Sequence, residues 1–429
     1  MRKKFNVLIF PGGTEIGNEI FKSLKGAKEV TLFSASNDVV NHAPYIFENH
    51  YEISSVNNSK WIDDINLLIS KHKINFIFPA NPYVIDALIE VRDLIKCELI
   101  LPSNEVVKLI RLKSTTYKKF KEIIAVPKVY SSTGHIDKYP VFVKPDNGYG
   151  SQGTKKVNTP NELKSYFNSE YVVSEYLDGP EYSVDCFSNI NGNLLFSQAR
   201  TRERIRMGTS MHSNLVSTEQ NQRFKKTALA IANSIKITGS WFFQMKEDSN
   251  GILKLLEIEP RIAGTMAINR VRGVNFALLS ILEYAGISTR ILINQNNINI
   301  DRCLQNKYDH SIKFNNVYID LDDTIIINNR INLDMIMFLY QCINDKIPII
   351  LITKSTNNDL KAFLTKFKIK QLFDEIIWIK ESDKKFKYIT LPNSIFIDDS
   401  YTQRLEVSKN CKIPTFDPSM IEMLINYKI

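Results

Sequence analysis

The sequence predicts a multidomain protein in which two α/β domains flank an α+β domain. Its 429 residues are too many for a single hydrophobic core. Short apolar runs alternate with helical patterns in the first hundred residues and again after Phe314, which is typical of a parallel sheet covered by helices. Between these regions, apolar runs joined by Asn-Gly turns predict antiparallel hairpins. We therefore place domains at 1–102, 103–290 and 313–429, with a polar linker or partly wrapped connection at 291–312.

Composition and charge are those of a globular protein, and small anionic ligands such as nucleotides explain its mild positive excess as well as nucleic acid does. Apolar residues make up 44% and charged residues 24%, as in typical soluble proteins, and no apolar run is long enough to span a bilayer. Five scattered cysteines without a CxxC pair are typical of reduced thiols in the cytoplasm. The net charge of +9 comes from basic residues mixed with acids along the whole chain. We therefore expect nucleotide-sized anions as ligands, and neither nucleic acid nor a membrane as a partner.

The N-terminal domain is predicted to be Rossmann-like, because four apolar runs alternate with helical patterns: VLIF, VTLFSAS, INFIFPA and ELILPS. The turn after the first strand contains Gly12, Gly13 and Gly17. The spacing is not GxGxxG and no acidic residue ends the second strand, so a tight strand-to-helix turn is favoured over a dinucleotide site. A nicotinamide-dependent oxidoreductase is the weaker alternative. The same helix N-terminus can bind a substrate carboxylate or phosphate.

One stretch of the middle domain, VFVKPDNGYGSQGTKKV at residues 141–157, has the composition of a phosphate-binding loop. A helix over residues 103–120 precedes it, with Ser103 as the N-cap. A strand that carries Lys144 runs into a loop with three glycines: Gly148, Gly150 and Gly153. Because glycine lacks a Cβ atom, the backbone N–H groups of such a loop can approach phosphate oxygens. An ordinary flexible hairpin is the alternative, since no GK[ST] sequence opens a helix here.

Acidic and amide side chains of the middle domain are spaced to bind a divalent cation. The runs GSWFFQMKED and GILKLLEIEPR predict a hairpin in which Gln244 faces Glu257 and Glu259. The two glutamates are two residues apart and share one side of the strand, and oxygen ligands beside a phosphate loop suit Mg²⁺. Arg261 follows directly and can contact a transferred phosphate or a substrate carboxylate. Taken singly, these residues also fit a solvated strand face or a structural ion pair.

The order and spacing of these motifs over residues 1–290 resemble the ATP-grasp family, in particular carboxylate–amine ligases and the large subunit of carbamoyl phosphate synthetase. The resemblance implies an N-terminal pre-ATP-grasp domain, an ATP-grasp domain at 103–290, and ATP with Mg²⁺, or Mn²⁺ in its place, as ligands. It also implies a set of ATP contacts: Lys113, Lys144 and the loop with Gly148, Gly150 and Gly153 at the phosphates, Glu175 and Leu177 at the adenine, and Glu181 at the ribose.

The same resemblance implies the magnesium ligands Gln244, Glu257 and Glu259. The family usually has Asn where Glu259 stands, but a second carboxylate should still bind Mg²⁺. Among Arg202, Arg204 and Arg206, at least one is expected near the phosphates or the acyl phosphate, and Arg204 is preferred. The chemistry implied is transfer of a phosphoryl group from ATP to a carboxylate, followed by attack of an amine. The protein supplies positioning, Mg²⁺ and cationic groups such as Arg261.

The C-terminal domain carries several carboxylates at the ends of buried strands. The run YIDLDDTIII contains Asp320 and Asp322, whose two-residue spacing places them on one side. The run IPIILITKS ends near Thr353, and SIFIDDS contains Asp398 and Asp399. The carboxyl ends of parallel strands meet at one edge of a sheet. Four carboxylates at that edge require a divalent cation.

This order of motifs over residues 313–429 resembles the haloacid dehalogenase-like phosphohydrolases, which implies a Rossmannoid domain with a minimal cap. By this resemblance Asp320 is a nucleophile that forms an aspartyl-phosphate, and Asp322 is a general acid and then base. Thr353 and Lys384 would hold the phosphate, with Lys385 and Lys387 as alternatives to Lys384. The implied metal ligands are Asp320, Asp322, Asp398 and Asp399. A degenerate domain that keeps its acids for solubility is the alternative.

The two resemblances together predict a bifunctional cytoplasmic enzyme. An ADP-forming ligase would join a small-molecule carboxylate to an amine, and a phosphatase would act on a related substrate or product. We hypothesise that one ligase substrate is phosphorylated, because the fusion would otherwise gain little. The alternative is an active phosphatase whose ATP-grasp portion is catalytically silent and only senses nucleotide. The sequence identifies neither substrate and leaves a homodimer as an open option.

Overall fold

The chain folds into two units, one that extends to Leu304 and one that covers Gln305–Lys428. The structure is a computed structural model and describes residues 4–163, 165–356 and 359–428. Among the described helices, none combines the length and the apolar composition needed to cross a membrane. The first unit contains the predicted N-terminal and middle domains together, and the second contains the predicted C-terminal domain.

A five-stranded parallel sheet forms the N-terminal part of the first unit. Its elements are β1 (Phe5–Phe10), α1 (Glu15–Leu24), β2 (Val30–Ser36), β3 (His50–Glu52), α2 (Trp61–His72), β4 (Phe76–Pro79), α3 (Pro82–Glu90) and β5 (Glu98–Leu99). The strand order is β3-β2-β1-β4-β5, and every pairing is parallel. The predicted parallel sheet is therefore confirmed. The sequence did not predict β3, because HYE is short and polar.

The single helix predicted over residues 103–120 is wrong, because the structure has two helices: α4 (Asn104–Arg111) and α5 (Lys113–Phe120). Ser103 caps α4 as predicted. Leu112 between the helices is extended, with φ −92° and ψ 125°. At the break, the Lys113 backbone N–H donates a hydrogen bond to the Asp146 carbonyl at 3.3 Å. This contact with the glycine-rich loop outweighs local helix propensity, and it sets the position of Lys113.

Antiparallel strands build the middle of the first unit. The elements are β6 (Val141–Pro145), β7 (Lys155–Val157), β8 (Tyr171–Glu175), β9 (Glu181–Ser188), β10 (Leu194–Thr201), β11 (Arg204–Arg206), β12 (Thr209–Asn214), α6 (Thr218–Ser234), β13 (Gly239–Glu247), β14 (Leu253–Glu259), α7 (Ala267–Arg270), α8 (Phe276–Tyr284) and β15 (Asn299–Asp301). They form sheets of order β7-β6-β8, β10-β9-β13-β14 and β11-β12-β15. The two predicted hairpins are confirmed as β9–β10 and β13–β14.

Residues 291–312 form a partly wrapped connection rather than a free linker, because part of the segment is folded into the first unit. Strand β15 pairs antiparallel with β12, which places Asp301 opposite His212. The run around β15 is polar and weakly patterned, so its strand conformation depends on the edge that β12 offers rather than on its own sequence. The boundary between the units falls after Leu304.

One apolar core joins the N-terminal sheet to the middle of the first unit. Val7 and Phe78 of the parallel sheet belong to the same buried cluster as Phe242 and Phe276. Because these residues pack as one core, the carboxyl ends of β1 and β4 keep a defined place beside β13 and β14.

The second unit contains a five-stranded parallel sheet. Its elements are β16 (Asn316–Ile319), β17 (Ile326–Ile327), β18 (Arg330–Ile331), α9 (Leu333–Asn344), β19 (Ile349–Thr353), α10 (Leu360–Lys366), β20 (Glu375–Trp378), β21 (Ser394–Ile397), α11 (Tyr401–Cys411) and β22 (Thr415–Phe416). The order is β20-β19-β16-β21-β22, all parallel. Between β16 and β19 the structure has the small β17–β18 hairpin and α9. The carboxyl ends of β16, β19 and β21 lie side by side.

Candidate functional site

A first cleft in the first unit collects most of the residues predicted from the glycine loop and the acidic hairpin. The predicted residues that line it are Lys113, Lys144, Gly148, Gly150, Glu175, Leu177, Glu181, Gln244 and Glu257. Phe142, Tyr176 and Leu256 line it too. The cleft therefore offers apolar and aromatic surface together with cationic and acidic groups, as binding sites for nucleotide-sized ligands do.

Two buried lysines reach this cleft from different elements. Lys113 Nζ donates hydrogen bonds to the Gly148 carbonyl at 2.8 Å and the Asp146 carbonyl at 3.3 Å. Lys144 Nζ donates to the Tyr117 hydroxyl. Burial and, to a smaller extent, the charge on Lys113 lower the pKa of Lys144 to about 7. Burial also lowers the pKa of Lys113, with Glu257 opposing the shift. Burial disfavours the charged forms of both lysines, and a bound anion would stabilise those charged forms.

The glycine loop is closed on one side by the turn between β11 and β12. Gly150 has φ +61° and Gly208, in that turn, has φ +74°. A Cβ at Gly208 would lie 2.2 Å from the Gly150 carbonyl carbon, so only glycine allows this approach. Gly153, the third loop glycine, has φ +69°, and a Cβ there would lie 2.9 Å from Pro145 Cγ. The glycines therefore shape the loop.

The two glutamates of β14 have different surroundings. Glu257 lies opposite Gln244 in the β13–β14 register, as predicted, and both line the first cleft. Burial raises the pKa of Glu257, and the nearby Glu259 raises it further. Glu259 instead accepts hydrogen bonds from Arg111 Nη1 at 3.3 Å and from Arg261 Nε at 3.0 Å. Two guanidinium groups therefore engage both oxygens of Glu259 as ion-pair partners, and its role as a metal ligand stays a prediction.

The two predicted nucleoside contacts, Glu175 and Glu181, each carry a basic partner at the cleft. Glu175 Oε1 accepts hydrogen bonds from Lys254 Nζ at 2.6 Å and from the Lys128 backbone N–H at 2.7 Å. Glu181 Oε1 lies 2.7 Å from Arg202 Nε.

Arg202, rather than the preferred Arg204, reaches the cleft. Arg202 donates from Nη2 to the Gly208 carbonyl at 2.9 Å and lines the first cleft. The side chain of Arg204 is 56% exposed and forms an ion pair with Asp301. The preference for Arg204 is therefore corrected. The pairing of β15 with β12 brings Asp301 to Arg204, and this ion pair keeps the Arg204 side chain outside the first cleft. His212 also contacts Asp301, through Nδ1 at 2.9 Å.

A second cleft adjoins the first and is lined by the ends of the N-terminal strands. Tyr149, Arg202 and Gln244 line both clefts. Thr14 and Asn81, which follow β1 and β4, line only the second. Its further lining includes three more arginines: Arg200, Arg261 and Arg302.

The glycines after β1 are accounted for by a tight turn. Thr14 Oγ1 accepts a hydrogen bond from the Gly17 N–H at 2.9 Å and donates one to the Ala80 carbonyl at 2.9 Å. A Cβ at Gly17 would lie 2.6 Å from the Gly12 carbonyl oxygen. This is the strand-to-helix turn that the sequence favoured.

In the second unit, a buried lysine lies between two aspartates. Lys385 Nζ donates to Asp320 Oδ1 at 2.5 Å and to Asp398 Oδ2 at 2.7 Å. Burial opposes the charge on Lys385, but the two carboxylates outweigh it and raise the pKa of this lysine. Burial raises the pKa of Asp320 to about 7, against the lowering effect of Lys385.

Three aspartates of the second unit can converge on a cation. Carboxylate oxygens of Asp320, Asp398 and Asp399 lie within 4.8 Å of one another. Asp322, predicted as a fourth ligand, is not part of this group. Thr353 is fully buried, and its Oγ1 accepts a hydrogen bond from the Ser355 N–H at 3.0 Å.

The structure corrects the choice of lysine in the second unit. Lys384 Nζ donates to Glu406 at 2.5 Å, and its side chain is 46% exposed. Lys385, which the sequence left as an alternative, makes the contacts with Asp320 and Asp398. The short helical turn over residues 385–388 points neighbouring lysines in different directions, and no periodic pattern in the sequence reveals which one faces inward.

Two arginines of the second cleft were missed from the sequence, Arg200 and Arg302, and so was Arg111, which pairs with Glu259. Arg200 carries a weak signal, because it is two residues from Arg202 and strand alternation places both on one side. Arg111 and Arg302 lie in a helix and in a polar segment without a motif, so only their partners identify them. Arg111 contacts Glu259, which is far away in the sequence.

Comparison with known proteins identifies one region of the chain directly. Residues 167–303 match the family model described as ATP-grasp in the biosynthetic pathway with Ter operon. A comparison with curated proteins found no matching relative.

Solved structures share the fold at low identity. The biotin carboxylase domain of the Hydrogenobacter thermophilus 2-oxoglutarate carboxylase is 15% identical, with 68% of this chain and 73% of that one covered and a TM-score of 0.57. The Staphylococcus aureus N5-carboxyaminoimidazole synthetase is 18% identical, with 68% and 81% covered and a TM-score of 0.54. For the Bacillus licheniformis L-amino acid ligase the identity is 16%, the coverage 66% and 74%, and the TM-score 0.50. The chain contains an ATP-grasp domain.

Proposed function

We propose that the first unit is an ATP-dependent ligase that joins a carboxylate to an amine. The observation that carries this proposal is that two clefts meet at Tyr149, Arg202 and Gln244. The first cleft has the lysines and the glycine loop of a phosphate site, and the second is rich in arginine. A phosphoryl donor in the first and a carboxylate in the second would therefore meet at this junction.

The first cleft suits ATP. Lys113 and Lys144 lack enough neighbouring negative charge to offset burial, and the phosphates of a nucleotide would supply it. Gln244 and Glu257 offer facing oxygen atoms of the kind that Mg²⁺ prefers. A bound Mg²⁺ would neutralise phosphate charge during transfer. Two similar solved structures are complexes with ADP, one of them with its magnesium salt, which supports the same ligands here.

The reaction follows from the two sites. A substrate carboxylate oxygen attacks the γ-phosphorus of ATP, the bond to ADP breaks, and an acyl phosphate forms. The amine then attacks the acyl carbon, phosphate leaves, and the amine loses a proton. The arginines hold the carboxylate and stabilise the charge that develops on the transferred group. The likeness to an L-amino acid ligase supports a C–N bond-forming reaction of this kind.

The test is ADP formation by the full chain with pairs from a library of carboxylates and amines. We expect formation to require one carboxylate and one amine, and to be lost in Lys144→Ala. The variant Asp320→Asn is used throughout to remove any phosphatase contribution. ADP formation that ignores every added carboxylate would contradict the proposal and favour a nucleotide-sensing module.

We further propose that the second unit is a phosphohydrolase that forms an aspartyl-phosphate on Asp320. The supporting observation is the contact of Lys385 with Asp320 and Asp398 at the carboxyl ends of parallel strands. Asp320, Asp398 and Asp399 fit a Mg²⁺ ion through their oxygens. Asp322 would act as general acid and then base, and Thr353 would hold the phosphate. The substrate would be related to the ligase reaction.

Hydrolysis of a simple phosphate ester tests this second activity. We expect Mg²⁺-dependent hydrolysis that disappears in Asp320→Asn and Lys385→Met but persists in Lys384→Met, the matched neighbour that pairs with Glu406. Equal activity in the two lysine variants would contradict the assignment of Lys385.

A further inference from the structure

The second cleft is lined by more guanidinium groups than the binding of one carboxylate requires. Its charged lining comprises four guanidinium groups and one carboxylate: Arg200, Arg202, Arg261, Arg302 and Glu15. Arg202 also lines the first cleft and pairs with Glu181, while Arg261 is engaged with Glu259. These two lie where the reacting carboxylate of the proposed ligase is expected. Arg200 and Arg302 line the second cleft alone.

Arg200 is a buried cation with an unused hydrogen-bond donor. Its side chain is 1% exposed, and its Nε lies 3.0 and 3.1 Å from the two oxygens of Asp185. Nη1 is buried and has no hydrogen-bond partner among the described residues. A buried guanidinium donor without a partner is costly, because the donor has lost its water. An anion in the cleft would supply the missing acceptor.

Arg302 is brought to the same cleft by the chain that follows β15. Its Nη2 donates to Glu15 at 2.8 Å, and its Nη1 lies 3.4 Å from the Ser210 carbonyl. Gly264 allows this approach, since a Cβ there would lie 2.8 Å from Nη2. Glu15 is 60% exposed and Arg302 is 19% exposed. Glu15 thus holds the guanidinium from the solvent side, and the planar group has further N–H donors to offer a ligand.

We propose that Arg200 and Arg302 bind a second anionic group of the ligase substrate. The carboxylate substrate would then carry another carboxylate or a phosphate beyond the reacting group. This inference rests on the proposed ligase function and extends it, because it names the class of acid and gives Arg302 a role in specificity. Guanidinium groups suit both anions through paired N–H donors.

The test is equilibrium titration of the full chain, saturated with ADP so that the first cleft is filled. The probes are succinate, inorganic phosphate and acetate, and the variants are Arg302→Met and, as the matched control, Arg206→Met on the exposed strand β11. We expect succinate or phosphate to bind at least about tenfold more tightly than acetate. Arg302→Met should weaken the tighter anion about tenfold, and Arg206→Met should leave it within about twofold. Tighter succinate indicates a dicarboxylate, and tighter phosphate indicates a phosphorylated acid.

Equal binding of acetate, or equal affinity in Arg302→Met and wild type, overturns the inference. Arg200 is left unchanged in this test, because its removal would leave Asp185 buried without its partner. The screen for ADP formation separates the two proposals. If no carboxylate supports ADP formation, the ligase proposal fails although the anion site can stand. If an acid supports it and its KM is unchanged in Arg302→Met, the ligase stands and this inference fails.

Discussion

Lys144 of the first unit and Lys385 of the second are both buried, at 6% and 3% exposure, but the charges around them differ. Lys144 contacts the Tyr117 hydroxyl, and burial lowers its pKa to about 7. Lys385 contacts two aspartates, which raise its pKa. A buried lysine can therefore lack a paired carboxylate among the described residues, as Lys144 does, or be paired with carboxylates of the protein, as Lys385 is. The first arrangement suits binding, and the second keeps several carboxylates close together.

The largest expected effect is the loss of stability when Lys385 is replaced, compared with its neighbour Lys384. Lys385→Met leaves Asp320 and Asp398 buried without their cation, so we expect a loss of about 3–5 kcal/mol in the free energy of unfolding. Lys384→Met, which removes an exposed partner of Glu406, should cost less than about 1 kcal/mol. Urea unfolding of the full chain measures both. Similar losses in the two variants would show that the contacts of Lys385 do not stabilise the fold.

The pKa of Lys144 is lowered whereas that of Lys385 is raised, so the two lysines should change stability with pH in opposite directions. The folded pKa of Lys144, about 7, lies below the usual lysine value, so the unfolded chain binds more protons between these values. Stability contributed by this group therefore rises as the pH increases above about 7, by up to about 1.4 kcal/mol per pH unit. We expect Lys144→Met to remove this slope, while Lys118→Met on the exposed side of α5 keeps it. Unfolding titrations between pH 6 and 9 give the comparison, and a slope that survives in Lys144→Met would contradict it.

Nucleotide binding should return the proton to Lys144. Because the pKa of Lys144 is lowered to about 7, we expect this lysine to be mostly neutral at pH 8 in the free protein, and phosphates in the first cleft favour its charged form. We expect uptake of up to about one proton when ADP binds without Mg²⁺. Calorimetry in buffers of different ionisation enthalpy measures the uptake. Lys144→Met should show less uptake, and unchanged uptake there would assign the proton to another group.

The smallest expected effect comes from the one hydroxyl that Lys144 contacts. Tyr117 accepts from Lys144 and donates to the Leu256 carbonyl at 2.8 Å. Tyr117→Phe removes this partner, so we expect ADP affinity to fall about three- to tenfold, in line with the loss of about one hydrogen bond to a charged group. Fluorescence titration with ADP gives the value. Unchanged affinity would mean that the phosphates alone position the lysine.

Regular patterns made much of the fold predictable from the sequence. Alternating strands and helices predicted both parallel sheets, and the turn before Gly251 predicted the hairpin that pairs Gln244 with Glu257. The Ser103 cap was also predictable, because its side chain accepts a hydrogen bond from the backbone N–H of Val106, only three residues away in the sequence. The failures lie where distant segments meet. The helix over residues 103–120 breaks at Leu112 because the glycine loop binds Lys113, and a local pattern contains no such partner.

The sequence by itself determined which residue types stand at the ends of strands: the glycine loop after Lys144, the glutamates of β14 and the aspartates after β16 and β21. These positions follow from periods of two and 3.6 residues, which are local properties of the backbone. Only the tertiary structure decided which neighbour faces inward: Lys385 rather than Lys384, Arg202 rather than Arg204, and Glu257 rather than Glu259 at the first cleft. Each choice depends on a partner far away in the chain, because a buried charge is stable only where another group compensates it.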